Sequence, residues 1–105
     1  MSDRLVAARV IHQVLSGVSL DAALARLDEV AEASSRPTIR ALSYGVLRHF
    51  ERLQALLDQL LERPLRNRDS QVKYLILCGL FELEDGKKPP HAIVSESVKA
   101  ARQLR

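Results

Sequence analysis

The chain has no tryptophan, one cysteine, four glycines and four prolines among its 105 residues, and aromatic side chains make up 4% of it. Each scarcity excludes something. A single cysteine permits no internal disulfide and no cysteine quartet around a metal, which suits a reducing compartment. So few glycines and prolines leave little turn chemistry for a many-stranded sheet and favour helices. No apolar run reaches the roughly 18 residues of a membrane span, and the N-terminus lacks the basic-then-apolar order of a signal peptide. A cytoplasmic protein that touches no membrane is therefore expected.

What is present is a chain 47% apolar and 28% charged, the balance of a soluble globular protein, and residues 1–105 are expected to form one small domain. The net charge of +3 is unevenly spread. Residues 1–35 hold three basic and five acidic side chains, residues 36–73 eight and four, and residues 74–105 five and four. Positive charge thus concentrates in the middle third. It reads either as a solvated helix face or as a surface for phosphate backbones.

Apolar periodicity predicts helices throughout and no strand. Leu5, Ala8, Ile11 and Leu15 form a stripe opened by Ser2 or Asp3 and stopped by Gly17. Ser19 is a suitable N-cap for a second helix whose Leu20, Ala23, Leu24, Leu27 and Val30 share a face, and "EASSR" closes it. From Pro37, in a first turn, the pattern of Ile39, Leu42, Val46, Phe50, Leu53, Leu57 and Leu61 runs to Pro64 as one helix or as two joined near His49. After "RPLRNRD", Asn67 or Asp69 caps a helix over about 70–85. Its "YLILCGLFEL" is apolar all round, as befits a buried central helix. Gly79 costs roughly 1 kcal/mol there relative to Ala and implies a neighbouring helix backbone crossing closely. "EDGKKPP" then breaks the chain before a final amphipathic helix.

That last helix opens with "PPHAIVSESVKAAR", which brings His91, Ser95 and Glu96 close in sequence. His91 and Ser95 share a helical face, but Glu96 lies about 100° from Ser95 and cannot orient the imidazole as a triad acid would. With no GxSxG elbow either, the stretch is read as structural: "PPH" fixes the helix entry, and Ser95 or Glu96 satisfies a backbone group. No catalytic residue and no metal site is assigned. Cys78 is expected to be a buried, inert thiol.

Binding residues are easier to find. Along a helix from residue 37, Arg40, Tyr44, Arg48 and Arg52 recur every four positions with Arg36 just ahead, a band that drifts about 40° per step. Tyr44 is expected to pack inward beside Gly45 while the arginines pair with Glu51, Asp58 or Glu62; the alternative is a stacking platform for an unpaired base. Arg63, Arg66 and Arg68 fall within six residues, with only Glu62 and Asp69 adjacent to offset them.

"YGVLRHFERLQALLDQLLERPL", "VKYLILCGLFEL" and "PPHAIVSESVKAAR" together resemble the NusB-like domain, more closely the version at the N-terminus of RsmB (Sun/Fmu) type methyltransferases. The opening "AARVIHQVLSGVSLDAALARL" is similar to that domain's first two helices, so the resemblance spans nearly the whole chain. It implies a compact all-α bundle around the 70–85 helix. It also implies one further helix with an Asn-Gly-Val-Leu-Arg-like stretch, which does not occur before Arg105, so the chain is expected to be a fragment lacking the family's last helix. Left uncovered, a face of Leu75, Leu80, Ile93, Val94 and Val98 would invite self-association.

The same resemblance implies a parent enzyme that uses S-adenosylmethionine to make 5-methylcytosine in small-subunit ribosomal RNA. Its glycine-rich cofactor loop and reactive cysteines belong to a catalytic domain in cis that this sequence does not contain. Arg4 and Arg9 join the candidates because antitermination proteins of the family use a basic segment of their first helix on RNA, although that segment is thin here. Three roles follow. The chain is an RNA-binding accessory domain of a ribosomal RNA methyltransferase, an antitermination factor binding RNA and a ribosomal protein, or a docking module that binds no RNA. The RNA-facing set is Arg4, Arg9, Arg36, Arg40, Arg48, Arg52, Arg63, Arg66 and Arg68.

Overall fold

The computed structural model describes residues 2–104, in which α1 (Asp3–Leu15), α2 (Leu20–Val30), α3 (Arg36–Arg48), α4 (Phe50–Leu60), α5 (Ser70–Asp85) and α6 (Pro90–Gln103) follow one another, with a 3₁₀ turn at Asn67–Asp69. No strand occurs among the described residues. The fold is the all-α bundle expected from the sequence.

Local chemistry sets the boundaries. The Oγ of Ser2 accepts from the Leu5 N–H and that of Ser19 from the Ala22 N–H, both at 3.1 Å, so each hydroxyl satisfies one of the donors that the first turn leaves without a partner. The long apolar run breaks into α3 and α4 at His49, whose φ of −112° and ψ of 24° lie off the helical region. Gly86, at φ 72°, ends α5 in the left-handed conformation that glycine adopts without a Cβ penalty, and its N–H donates to the Glu82 carbonyl.

α5 packs against α1, α3, α4 and α6 and is the organising element. Leu77 and Cys78 are fully buried on it, in one cluster with Ile11, Leu27, Ile39, Val46, Leu53 and Leu57. Full burial of each such Leu or Ile contributes roughly 1.5–3 kcal/mol. α1 runs antiparallel to α5: Arg4 meets Glu82 near one end, and the His12 ring lies 5.9 Å from that of Tyr74 near the other. Burial pushes the Cys78 thiol up to about 12, with the Glu82 carboxylate adding to the rise and Arg4 opposing it, so a thiolate is disfavoured as anticipated.

Three expectations change. The close approach at Gly79 comes from side chains of α6, since a Cβ there would sit 3.3 Å from the Ser97 Oγ and 3.9 Å from the Ile93 Cγ2. The tighter approach is at Gly45, where a Cβ would run into the Cζ of Phe81. The phenyl ring from α5 thus occupies the inward slot beside Gly45, and Tyr44 is left 50% exposed on the outer side of α3. The face expected to lie open is also only partly so. Ile93 and Leu75 are buried and Leu80 is partly so, whereas Val94, Val98 and Leu83 are the exposed apolar groups of α5 and α6.

Candidate nucleic-acid interface

The structure divides the nine candidate arginines according to what their guanidinium groups touch. Arg4 is withdrawn from the surface, with a relative exposure of 6%. Its Nη2 donates to Glu82 Oε2 at 2.7 Å, its Nε lies 2.6 Å from Glu82 Oε1, and its Nη1 lies 2.6 Å from Glu96 Oε2. Lys88 Nζ closes the group at 3.9 Å from Glu96 and 4.0 Å from Glu82. The antiparallel register of α1 and α5 brings residue 4 level with residue 82, and α6 delivers Glu96 from the other side. The assignment of Arg4 to an RNA-facing surface is therefore corrected: it ties three helices together. Glu96 likewise serves that guanidinium and not a backbone group. The hydrogen bond from Arg4 holds its carboxyl below the usual carboxylate range, against a desolvation that would raise it. Ser95 and His91 are exposed beside it and form no triad.

Arg36 and Arg40 also have structural partners. Arg36 donates from Nη2 to the Asp28 carbonyl at 2.7 Å and from Nε to the Ala31 carbonyl at 3.2 Å, capping carbonyls that the C-terminal turn of α2 leaves unpaired. Arg40 Nη2 lies 2.6 Å from Asp28 Oδ1. Arg52 pairs with Glu84 of α5 across the start of α4. The partners are thus Asp28 and Glu84, from other helices, and not the Glu51, Asp58 or Glu62 that nearness in sequence suggested.

The remaining five reach solvent. Arg9 lines an open groove of about 710 Å³ between α1 and α2, and Arg26 lines the same groove from α2. Arg26 was not a candidate from sequence; the packing of α2 on α1 brings it beside Arg9. Asp3, Glu29 and Glu32 line the groove too, so three carboxylates outnumber its two guanidinium groups.

Arg48 is exposed at the end of α3, and Arg63, Arg66 and Arg68 are exposed on the connection from α4 to α5, where Leu65 is partly buried. None of these four has an ion-pair partner among the described residues. The 63–68 connection is therefore where cationic charge is densest and least compensated. It can contact phosphate or the edges of unpaired bases without first breaking an internal pair.

No group of three or more His, Cys, Asp or Glu is placed to hold a metal ion among the described residues, and no described helix is long and apolar enough to cross a membrane.

Comparison with known proteins agrees with the sequence reading. The pattern of the NusB family matches residues 1–105. The chain is 37% identical over 103 residues to the ribosomal RNA small subunit methyltransferase B of Sodalis glossinidius (strain morsitans), covering 97% of this chain and 24% of that protein. It is 33% identical over 106 residues to the protein of the same name from Vibrio vulnificus (strain YJ016), covering 100% and 25%. With the one from Yersinia pestis bv. Antiqua (strain Angola) the identity is 36% over 103 residues, covering 97% and 24%. The chain spans about a quarter of the length of these relatives.

Proposed function

The chain belongs to the NusB family, and from that premise we propose that it is the RNA-binding accessory domain of a ribosomal RNA cytosine-5 methyltransferase. In this reading the domain helps dock the substrate RNA for a catalytic domain in cis, which binds S-adenosylmethionine and performs the transfer. In this reading the catalytic domain supplies the chemistry and the chain itself supplies binding. Its one thiol is buried and its carboxylates beneath α6 are occupied by Arg4. The observation that carries the proposal is the Arg63–Arg66–Arg68 connection, exposed and without carboxylate partners among the described residues.

The test is a titration of the chain with a hairpin from small-subunit ribosomal RNA at two salt concentrations. Each phosphate contact releases counterions, so affinity should fall steeply as salt rises. Absence of binding at low salt would defeat the proposal. A marked preference for one single-stranded sequence over a shuffled one would instead point to the antitermination role.

One observation favours a second reading, in which the domain docks on protein. Val94 and Val98, 56% and 46% exposed, lie one turn apart on α6, and Leu83 is exposed on α5, which packs against that helix. This side of α6 is turned away from the Glu96–Arg4 pair, as the helical spacing requires. Such a strip suits the catalytic domain in cis or a second copy of the chain. Replacing Val94 and Val98 with Ser should leave RNA affinity unchanged while weakening either association, read by sedimentation and by binding of an apolar dye.

A further inference from the structure

Tyr44 stands apart from the other aromatic side chains of the chain. Phe81 lies over Gly45, the His49 ring is stacked on Phe81 with centroids 6.5 Å apart and planes 19° apart, and Tyr74 packs against His12 and the core. Tyr44 is instead half exposed at the middle of α3.

Its surroundings decide what the exposed ring is fit for. One turn before it on α3 come Arg40 and Ala41, and one turn after it Leu47 and Arg48; Ala41 and Arg48 are exposed. Side chains on a helix lean toward its N-terminus, so the Tyr44 ring lies over the Arg40–Ala41 turn. Ala41 is too short to cover it, and Arg40 is drawn aside to Asp28. Arg48, one turn on, has no carboxylate partner among the described residues.

A protein partner would call for an apolar patch around the ring. α3 carries no other large exposed apolar side chain to make such a patch with Tyr44. An exposed aromatic ring with the uncompensated guanidinium of Arg48 one turn away fits a planar base with its phosphate.

We propose that Tyr44 and Arg48 form a stacking subsite for an unpaired RNA base, Tyr44 receiving the base and Arg48 the adjacent phosphate. The proposal rests on the RNA-binding reading above and sharpens it. It names loop or single-stranded nucleotides, not a continuous duplex, as what α3 meets, since paired bases hide their faces from a side chain.

The chain offers its own reporter. It has no tryptophan and only two tyrosines, so in a Tyr74→Phe background Tyr44 is the sole emitter. That background chain, Tyr44→Ala and Tyr44→Phe would each be titrated with a hairpin bearing an unpaired loop and with a blunt duplex of equal length. Unaltered helical circular dichroism would show that each variant is folded.

Stacking predicts that the loop RNA quenches Tyr44 emission and that Tyr44→Ala weakens loop binding roughly tenfold. Duplex binding should change by less than about twofold, and Tyr44→Phe should retain loop affinity. Salt-dependent binding with no quenching and no loss in Tyr44→Ala would overturn the subsite while leaving the RNA-binding reading intact. An equal loss on duplex and loop would overturn the choice of unpaired bases. Failure of the unaltered chain to bind either RNA at low salt would overturn both.

Discussion

Arg4 and the Arg63–Arg66–Arg68 connection contain the same side chain in opposite circumstances. Arg4 lies between Glu82 and Glu96 where three helices meet, whereas the connection arginines stand in solvent with no carboxylate against them among the described residues. A guanidinium withdrawn from water needs its partners to offset desolvation, so Arg4 is committed to holding the fold. One left in solvent contributes little to stability and remains available to a phosphate. Charge counted along the sequence does not separate the two cases; the packing of α1 against α5 and α6 does.

The largest effect that would sharpen this contrast is expected at Arg4. Arg4→Met removes one side of a buried pair and leaves the Glu82 carboxylate with only the half-exposed Lys88 ammonium, 4.0 Å away, to offset it, for a loss of about 3–5 kcal/mol in urea unfolding. Arg4→Met combined with Glu82→Leu should recover most of it. A loss below about 1 kcal/mol for the single variant would show that the pair contributes little. Gly45→Ala comes next. The new methyl meets the Phe81 ring, and overpacking of this kind costs about 1–3 kcal/mol in the same assay, unless the ring can swing out.

Acid should attack the same region. Because the carboxyl of Glu96 is held below its unfolded value, its contribution is present above the unfolded pKa and fades as pH falls through the folded one. The midpoint of thermal unfolding should therefore drop in acid more in the parent than in Glu96→Gln, and parallel curves would contradict the pairing. The smallest effect on stability is expected from changing Arg63, Arg66 and Arg68 to Ala, within about 0.5 kcal/mol for each site. A large loss there would erase the distinction between the two regions.

Much of the fold was legible in the sequence because its determinants are local. Ser2 and Ser19 act as caps, Gly17 and Gly86 take positive φ, and the apolar period marks α1 to α6. The mainly apolar middle of α5 and its buried Cys78 followed from the run "YLILCGLFEL". The candidate interface was less legible, because ion pairs between helices join residues distant in sequence. Arg4 and Glu82 are 78 positions apart, Arg52 and Glu84 are 32 apart, and the pairing of Arg40 with Asp28 depends on the turn that returns α3 along α2. Tyr44 was assigned inward for want of one fact, that Phe81 already fills the slot at Gly45. Arg26 became visible only when α2 was laid beside α1.

The most direct test of the central claim is the dependence of RNA affinity on salt for the parent chain and for the variant with Arg63, Arg66 and Arg68 changed to Ala. If the connection is the phosphate-facing surface, the slope of log affinity against log salt should shrink by roughly two to three, near one unit for each phosphate that is no longer neutralised. Slopes that coincide, with affinity unchanged, would contradict it.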